Sequence, residues 1–464
     1  MILKQYYLGC LAHASYLVAD EKSGHAVVVD PQRDIDQYLQ DAAAHGLAIK
    51  HVVLTHFHAD FVAGHLELRD QCGAAICLGF RAQADYPFLP LKENDTLELG
   101  SVRLRILETP GHTPEAISIL VYDLAKDGAS PHAVLTGDTL FIGDVGRPDL
   151  MASAGMAAGD LAGMLYSSLR DKLLTLPDET LVYPAHGAGS MCGKNLSSDT
   201  VSTIGAQRKY NYALQPMTRD EFVRLVTADQ PEAPSYFAYD AMLNRSERPR
   251  LGENLHAALR PLPLEEVLAR HEAGDQLLDV RDPVEFEAAH LKGSVNIGLG
   301  GKFATWAGSL LDRSRAIVII ADPGRQEEAF VRLSRVGLDR IAGYLGDGMK
   351  ALSGRSDLIA RTERVSAAAL AEQMDSTSPP LLLDVRGEKE WQDKRIPGSV
   401  NIPLTHLERR IAEVPRDRPL ALHCASGYRS SIAASLLARH GITGVEDLVG
   451  GLAAWEAAGI PTQS

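Results

Sequence analysis

The second half of the chain contains one segment twice. LLDVRDPVEFEAAHLKGSVNI (277–297) aligns without gaps to LLDVRGEKEWQDKRIPGSVNI (382–402), so that Asp279 recurs as Asp384, 105 residues later. Solenoid proteins stack much shorter units of roughly 20–45 residues, and this period is too long for them. The repeat therefore predicts a duplicated globular domain, in which each copy continues through a buried strand, a helix and a glycine-rich turn.

The first 250 or so residues alternate short apolar strands with helical stretches. AVVVD (26–30) and HVVLTH (51–56) have the composition of buried strands, and IDQYLQDAAAHGL (35–47) has the periodicity of a helix. Further strand-like segments follow at 102–110, 117–123 and 132–138. This alternation predicts an α/β domain, in which ligands bind beyond the carboxyl ends of the strands.

Charge and composition exclude several classes of partner. The 464 residues carry a net charge of −14, which argues against binding to nucleic acid or anionic membranes. We expect no membrane span, because no segment approaches the ~20 apolar residues that one requires. The N-terminal residues do not resemble a signal peptide, and we expect a reducing, cytoplasmic setting because the cysteines form no CxxC pair. These scattered cysteines are Cys10, Cys72, Cys77, Cys192 and Cys424.

Metal-ligating side chains follow several of the predicted strands. His56 and His58 stand two apart after HVVLT, and further candidates occur in the segments TPGHT, TGD and PAHG. These segments place His112, Asp138 and His186 just after apolar stretches. Imidazole and carboxylate groups on separate strand ends, beside turn glycines, are typical of a catalytic metal site.

The motifs HxHxD, PGHT, TGD and PAHG, in this order, resemble the metallo-β-lactamase superfamily. The resemblance implies an αββα sandwich over the first domain. Hydrolases of the superfamily hold two metals with an HxHxDH motif, whose last histidine serves the second metal. This chain has Phe61 at that position, and its hydrocarbon ring cannot ligate. The resemblance therefore implies a site for one metal.

Within the superfamily, the segment THFHAD and a one-metal site resemble persulfide dioxygenases. The resemblance implies one Fe(II) per chain, held by His56, His112 and Asp138. Two histidines and one carboxylate leave positions open on octahedral iron, whereas zinc has no redox chemistry. Three further groups would orient the ligands or bind water around the site. These groups are His58, Asp60 and His186.

Arg147, in GDVGRPDL, matches the arginine that contacts the thiol substrate in this family. The sequence does not identify that thiol, because residues 187–190 (GAGS) replace the Asp-Tyr that often follows the PAH histidine in relatives. Glutathione, coenzyme A, another small thiol and a protein persulfide all stay open as carriers. Cys192 near this segment is interpreted as a packing thiol, with a persulfide relay as the alternative.

Cys424 follows the strand PLALH and precedes the helix SIAASLLARHG. Loop amides and the helix dipole favour a thiolate there, and Arg429 adds a cation suited to thiosulfate or sulfite. CxxGxRS after LLDVR and GSVNIP resembles the rhodanese family. This resemblance implies a sulfurtransferase with Cys424 and Arg429 as catalytic residues. The remaining loop residues would bind the substrate, and they are Ser426, Gly427 and Tyr428.

The middle copy of the repeat reads IVIIADPGRQEEA (317–329) and has Ala321 where Cys424 stands. We therefore expect a degenerate rhodanese domain that serves as a spacer or docking module. The stretch NRSERPRLGEN (244–254) is interpreted as an inter-domain linker. The predicted order is an α/β dioxygenase domain (1–245), a degenerate rhodanese domain (260–355) and an active rhodanese domain (362–464), the last two with parallel sheets.

The sequence thus predicts a soluble, homo-oligomeric enzyme of sulfide detoxification. It would oxidise a thiol persulfide to sulfite with O2 and form or use thiosulfate at a cysteine persulfide. The first alternative is a zinc thioester hydrolase resembling glyoxalase II with an appended sulfurtransferase, which requires two metals. The second is a non-catalytic sulfur-binding or sensing protein.

Overall fold

The computed structural model describes residues 1–150 and 155–464. They form two compact units. The first comprises Met1–Glu253 with Ser334–Gly337, and the second comprises Asn254–Leu333 with Leu338–Ser464. Among these described residues, no helix has both the length and the apolar character needed to cross a membrane.

Two six-stranded sheets build the first unit. The first sheet has the order β1-β2-β3-β4-β5-β6 and consists of β1 (Ile2–Leu8), β2 (His13–Asp20), β3 (His25–Val29), β4 (Ala48–Val53), β5 (Ala75–Gly79) and β6 (Leu89–Leu91). The second has the order β12-β11-β10-β9-β8-β7 and consists of β7 (Thr96–Glu98), β8 (Val102–Glu108), β9 (Ile117–Asp123), β10 (Ala133–Gly137), β11 (Leu181–Pro184) and β12 (Ser202–Thr203). Strands β3 to β6 pair in parallel, and the inner strands β3 and β5 are accordingly nearly continuous apolar runs.

Helices accompany both sheets. They are α1 (Asp36–Ala44), α2 (His65–Cys72), α3 (Ala158–Ser167), α4 (Ile204–Tyr210), α5 (Arg219–Thr227), α6 (Phe237–Arg245) and α7 (Leu251–Ala258), the last of which crosses the boundary between the units. One apolar core joins the two sheets through residues such as Tyr16, Val53 and Ile119. A second core packs the other face of the second sheet on helices α3 and α5, with Leu165 and Phe222. The expected αββα sandwich is confirmed.

The strand that leads into the metal motif ends earlier than its composition suggests. The apolar run 51–56 predicts a strand up to His56, whereas β4 ends at Val53. Thr55 and His56 therefore lie in the loop beyond the sheet, where their side chains are free of the two-residue alternation of a strand. The Asp30 side chain secures this loop by accepting hydrogen bonds from the Thr55 N–H and hydroxyl, each at 2.8 Å.

The second unit contains two five-stranded parallel sheets of the same topology. The middle copy has the order β13-β18-β17-β14-β16, with β13 (Pro261–Leu262), β14 (Gln276–Asp279), β16 (Val295–Asn296), β17 (Ile317–Ile320) and β18 (Ile341–Leu345). The last copy has the order β20-β24-β23-β21-β22, with β20 (Glu363–Val365), β21 (Leu381–Asp384), β22 (Val400–Asn401), β23 (Leu420–His423) and β24 (Val445–Leu448). The expected pair of rhodanese-like α/β domains with parallel sheets is confirmed.

Helices surround each of these sheets. Those of the middle copy are α8 (Leu264–Glu272), α9 (Pro283–Ala288), α10 (Phe303–Leu310) and α11 (Gln326–Ser334). Those of the last copy are α12 (Ala367–Met374), α13 (Glu388–Asp393), α14 (Tyr428–Arg439) and α15 (Gly451–Ala457). A small antiparallel pair, β15 (His290–Leu291) with β19 (Ile359–Ala360), ties the start of the connecting segment back to the middle copy.

The stretch 244–254 is less linker-like than its composition indicates. Asn244 is fully buried and belongs to α6, and the buried Arg248 guanidinium forms an ion pair of 2.6 Å with Glu67. A flexible linker would leave such groups in water. The first half of this stretch is therefore part of the first unit, and the interpretation as a linker is wrong there.

Candidate metal centre and sulfurtransferase loop

Three loops of the first unit bring His56, His112 and Asp138 together. One donor atom of each lies within 4.8 Å of the donor atoms of the other two, and all three side chains are buried. The Nε2 atoms of His56 and His112 lie 3.8 and 3.5 Å from Oδ2 of Asp138. Because the loops follow β4, β8 and β10, the site lies at one edge of the sandwich.

Both imidazoles are held through their Nδ1 atoms. Nδ1 of His112 donates to the Arg147 carbonyl at 2.8 Å. The Thr55 hydroxyl gives its hydrogen to Asp30, so its oxygen accepts from Nδ1 of His56 at 3.0 Å. These contacts leave Nε2 of each ring with a lone pair for a metal. Burial, together with the neighbouring histidines, lowers the pKa of His56 well below its ordinary value, which keeps this ring neutral.

A second group, consisting of His58, Asp60 and His186, adjoins the first. Nε2 of His186 lies 3.5 Å from Oδ2 of Asp60 and 3.6 Å from Oδ1 of Asp138. Nε2 of His58 lies 2.9 Å from Oδ1 of Asp30. Burial opposes ionisation of His58, but the Asp30 and Asp60 carboxylates outweigh it and raise the pKa of this ring.

The Phe61 ring packs against His58 of this second group. Its ring centroid lies 4.4 Å from that of His58 and 4.0 Å from that of His13, and only 1% of the residue is exposed. The ring therefore places hydrocarbon at the motif position where two-metal relatives have a ligating histidine. The neighbouring His58 is turned to a carboxylate of the protein.

The donor atoms of this site fit a cation. Both carboxylate oxygens of Asp138, Nε2 of His186 and Oδ1 of Asp60 are buried without a hydrogen-bond partner among the described residues. Buried polar atoms without a partner are costly, and a bound cation would satisfy several of them at once. Two imidazoles and one carboxylate are the ligand set expected for a non-haem Fe(II) site.

Sequence reasoning missed two residues that hold the motif loop. Asp30 follows a buried apolar strand, the same signal that pointed to Asp138, and it bonds both Thr55 and His58. Asn244 of α6 donates to the carbonyls of His58 and Phe61, each at 2.8 Å. No local signal reveals Asn244, because its partners lie more than 180 residues earlier.

Arg147 lies beside the metal group with its guanidinium engaged. It donates to Asp149 through Nε and Nη2, at 2.8 and 2.7 Å, and to the carbonyls of Met191 and Pro231. Burial would raise the pKa of Asp149, but the Arg147 charge and hydrogen bonds outweigh it and lower that pKa. The observed role of Arg147 is to orient His112 through its carbonyl, and its contact with substrate stays a prediction.

Cys192 lies closer to the metal group than its sequence context reveals. Its sulfur lies within 4.8 Å of donor atoms of both Asp138 and His186, and 1% of the residue is exposed. Burial and the Asp138 and Asp60 carboxylates raise the pKa of this thiol well above its ordinary value. The structure thus places a neutral thiol at the centre, and a persulfide relay there stays a prediction.

In the last copy, Cys424 begins a loop whose carbonyls are turned outward. The N–H groups of Leu452 and Ala453, at the start of α15, donate to the carbonyls of Cys424 and Ala425 at 2.8 and 3.0 Å. The Gly427 N–H points inward and donates to Sγ of Cys424 at 3.1 Å. Such an inward amide stabilises negative charge on sulfur.

An ion pair holds the Arg429 side chain beside the loop. Arg429 forms a two-pronged pair with Glu390, at 2.7 and 2.8 Å, so its charge is already partly offset. Glu390 therefore holds Arg429 in place at the site. Tyr428 is half-buried and Ser426 is exposed at the loop surface. The roles predicted for Arg429, Ser426, Gly427 and Tyr428 stay predictions.

Ala321 occupies the position of Cys424 in the middle copy. It follows β17 as Cys424 follows β23, and the two strands have the same register against the strands that end in Asp279 and Asp384. A cavity of about 140 Å³ stays beside this loop. It is lined by Val280, Arg281, Asp282, Leu299, Gly300, Asp322 and Arg325. An alanine methyl group cannot carry sulfur, so this copy has no nucleophile at the equivalent position.

Two known protein families match separate parts of the chain. Residues 8–186 match the metallo-beta-lactamase superfamily. Residues 263–354 and 366–458 each match the rhodanese-like domain. Each rhodanese match contains four of the five strands of one sheet of the second unit and begins directly after the first strand, β13 or β20.

Individual relatives cover the first unit. The mitochondrial persulfide dioxygenases ETHE1 of Bos taurus and Homo sapiens are each 30% identical over 234 residues, which is 49% of this chain and 80% of the relative. A probable metallo-hydrolase of Burkholderia pseudomallei (strain 1710b) is 30% identical over 247 residues, which is 46% of this chain and 81% of the relative.

Among solved structures, a metallo-beta-lactamase from Staphylococcus aureus subsp. aureus COL aligns with a TM-score of 0.65. It is 30% identical and covers 74% of this chain and 98% of its own length, so the similarity extends beyond the first unit. The chain accordingly belongs to the metallo-beta-lactamase superfamily, with an N-terminal domain homologous to persulfide dioxygenases and two rhodanese-like domains after it.

Proposed function

We propose that the chain is an iron-dependent persulfide dioxygenase joined to a sulfurtransferase. The first domain would oxidise a low-molecular-weight thiol persulfide, such as glutathione persulfide or coenzyme A persulfide, to sulfite. The observation that carries this proposal is the buried group of His56, His112 and Asp138 beside Phe61. Homology to persulfide dioxygenases over most of their length supports it.

The proposed oxidation consumes one O2 and one water per persulfide: R–S–SH + O2 + H2O gives R–SH, sulfite and two protons. Fe(II) would be held by His56, His112 and Asp138, one ion per chain, and would supply the redox chemistry that zinc lacks. Thr55 and the Arg147 carbonyl fix the orientation of the two imidazoles. Phe61 excludes water from one side of the site.

The last domain would transfer sulfane sulfur on Cys424. The Cys424 thiolate attacks the outer sulfur of thiosulfate, the S–S bond of thiosulfate breaks, and sulfite leaves with the bonding electron pair. The reverse reaction joins the persulfide sulfur to sulfite and forms thiosulfate. Sulfite made by the first domain is generated on the same chain as Cys424, which raises its effective concentration.

Metal analysis with O2 uptake tests the dioxygenase. Anaerobically purified protein should contain about one iron per chain and consume O2 when glutathione persulfide or coenzyme A persulfide is added. His112→Ala should abolish both iron binding and uptake, because it removes one of three ligands. His132→Ala is the matched control, since His132 lies outside the metal groups and should leave both unchanged.

Product analysis tests the sulfurtransferase in the same samples. Cys424→Ser should preserve O2 uptake but change the sulfur product from thiosulfate to sulfite. Unchanged thiosulfate formation by this variant would overturn the assignment of Cys424.

The second candidate function is a zinc-dependent thioester hydrolase of the glyoxalase II type with an appended sulfurtransferase. The adjoining group of His58, Asp60 and His186 favours it, because these residues also converge within 4.8 Å. Similarity to a probable metallo-hydrolase supports it further. Two zinc ions per chain, hydrolysis of an acyl-glutathione and no O2 uptake would establish this function in place of the dioxygenase.

A further inference from the structure

The two copies of the duplicated domain meet along helix α14, which begins directly after the Cys424 loop. The Tyr428 hydroxyl donates to the Gly298 carbonyl of the middle copy at 2.7 Å. The buried Ser431 hydroxyl donates to Oδ1 of Asn296, also of the middle copy, at 3.1 Å. The first turn of α14 therefore rests on the copy that lacks a nucleophile.

A pair of buried carboxyl groups lies beside these contacts. Glu287, in α9 of the middle copy, and Asp447, in β24 of the last copy, are each 2% exposed and hydrogen bond to one another. Oε1 of Glu287 and Oδ1 of Asp447 have no other hydrogen-bond partner among the described residues. Two adjacent buried carboxylates repel each other strongly, so the pair holds one proton.

The surroundings decide which carboxyl carries that proton. Nε of Arg364, in β20, lies 2.9 Å from Oε2 of Glu287 and stabilises its ionised form. Asp282 at the start of α9 opposes this only in part. Asp447 instead lies close enough to Cys424 for the charges of the two groups to interact. Burial raises the pKa of Glu287 and Asp447, and the Glu287 charge adds to the effect on Asp447, whose pKa lies well above its ordinary value.

We propose that Glu287 of the middle copy is a positioning residue for the sulfurtransferase site, because it holds the negative charge of this carboxyl pair on the side away from Cys424. The inference rests on the proposed function of Cys424 as the sulfur-carrying nucleophile. The Ser430 hydroxyl hydrogen bonds to Asp447 and also lies 3.6 Å from Sγ of Cys424. A charge on Asp447 would stand one hydroxyl group from the sulfur and would oppose its thiolate.

The middle copy, which has no nucleophile, thereby changes the electrostatic surroundings of Cys424 in the last copy. With the charge on Glu287, Arg364 neutralises most of it, and the neutral Asp447 places no net charge beside Cys424. The connection runs from Arg364 through Glu287, Asp447 and Ser430 to the sulfur. Such a role is absent from a copy that serves only as a spacer.

Glu287→Gln tests the proposal in the full chain. A glutamine amide donates to Asp447, favours its ionised form and so brings the charge next to Ser430. The readout is the pH dependence of Cys424 alkylation by iodoacetamide, followed by peptide mass spectrometry. We expect the pH of half-maximal rate to rise by about one unit, which makes alkylation about tenfold slower on the acid side.

Further variants separate charge from structure. Glu287→Gln combined with Asp447→Asn removes both charges and should restore the wild-type midpoint. Arg364→Gln should raise the midpoint, because it removes the cation that holds the charge on Glu287, and it provides the test if Glu287→Gln does not fold. Glu285→Gln is the matched control, since Glu285 is exposed on the same helix.

The same midpoint in wild type, Glu287→Gln and Arg364→Gln would overturn the proposal, as would a raised midpoint that Asp447→Asn does not correct. Alkylation does not require sulfur transfer, so this outcome is distinct from failure of the sulfurtransferase. That function would be overturned by wild-type protein that forms no persulfide on Cys424 when thiosulfate is added.

Discussion

At the scale of single residues, Asp30 controls more of the metal centre than its place in the sequence suggests. One oxygen accepts from the Thr55 N–H and lies 2.9 Å from Nε2 of His58, and the other accepts from the Thr55 hydroxyl. That hydroxyl in turn fixes Nδ1 of His56. A single carboxylate thus sets the orientation of His56, a proposed metal ligand, and favours the charged form of the adjoining His58.

Asp30→Asn should lower metal affinity by about 10- to 100-fold, as is usual when a group that orients a ligand is lost. Asn tolerates the left-handed backbone of this position (φ 50°), so the fold should persist. Affinity is measured by competition with a metal-binding dye. Asp36→Asn, at an exposed position of α1, should leave affinity unchanged, and equal affinities for the two variants would contradict the role of Asp30.

His65 makes the stability of the first unit sensitive to acid. Burial, followed by the Arg248 charge, lowers the pKa of His65 from 6.5 to about 3. The unfolded chain takes up a proton at this histidine below about pH 6.5, whereas the folded unit resists it. The contribution of neutral His65 to the stability of the folded unit is therefore complete above pH 6.5, and it is lost progressively as the pH falls toward 3.

His65→Leu should make the free energy of unfolding fall less steeply between pH 6.5 and pH 4.5 than in the wild type. Urea unfolding at several pH values measures this slope. His45→Leu, at an exposed position after α1, should keep the wild-type slope. Parallel slopes for wild type and His65→Leu would show that the acid sensitivity comes from other groups.

At the scale of secondary structure, the start of α15 shapes the Cys424 loop. A Cβ at Gly451 would lie 2.4 Å from the Cys424 carbonyl oxygen, and the φ of Gly451 is +59°. Gly459, just after the same helix, has a φ of +71° but nothing within 4 Å of a Cβ. An alanine would therefore strain the backbone at either glycine. Of the two, only Gly451 would also bring the new methyl group against the Cys424 carbonyl.

Gly459→Ala should cost about 1 kcal/mol of unfolding free energy from backbone strain alone. Gly451→Ala should cost more and should also lower the rate of persulfide formation on Cys424, because the loop must move away from the methyl group. Chemical unfolding and mass spectrometry after a thiosulfate pulse measure the two effects. Wild-type sulfur transfer in Gly451→Ala would contradict the supporting role of α15.

Elements and motifs were predictable wherever the information is local. Apolar runs with acids and histidines at their ends predicted the strands and a metal site beyond them, and the resemblance to persulfide dioxygenases implied His56, His112 and Asp138 as its ligands. The contacts of Asn244 and Glu287 were not predictable, because they connect side chains far apart in the sequence. The end of β4 was also mispredicted, since hydrophobicity persists through Leu54 after pairing has stopped.

At the scale of the whole chain, the middle copy has two faces that differ in their contacts with the last copy. The loop from Ala321 to Arg325 has no nucleophile at the position of Cys424, and its Asp322 and Arg325 line a cavity. The other face, with Glu287 and Asn296, contacts the last copy through buried polar groups. Sequence change is thus expected to be tolerated at the first face and costly at the second.

Arg325→Ala should leave persulfide formation on Cys424 within about twofold of wild type. Arg325 is exposed just before α11 and pairs with Glu328 of that helix, and such surface pairs contribute little. Rapid-quench mass spectrometry of the full chain after thiosulfate addition measures the rate. A large loss of transfer would show that the degenerate loop still takes part in the reaction.

The buried segment around Asn244 and Arg248 has a practical consequence for dissection of the chain. A recombinant fragment or proteolytic product that ends at residue 245 keeps every proposed metal ligand but loses Arg248, which pairs with Glu67 and donates to the Ala63 carbonyl. Such a fragment would leave the buried Glu67 carboxylate with one cation fewer. Subcloning of the N-terminal domain should therefore place its boundary well beyond Arg248.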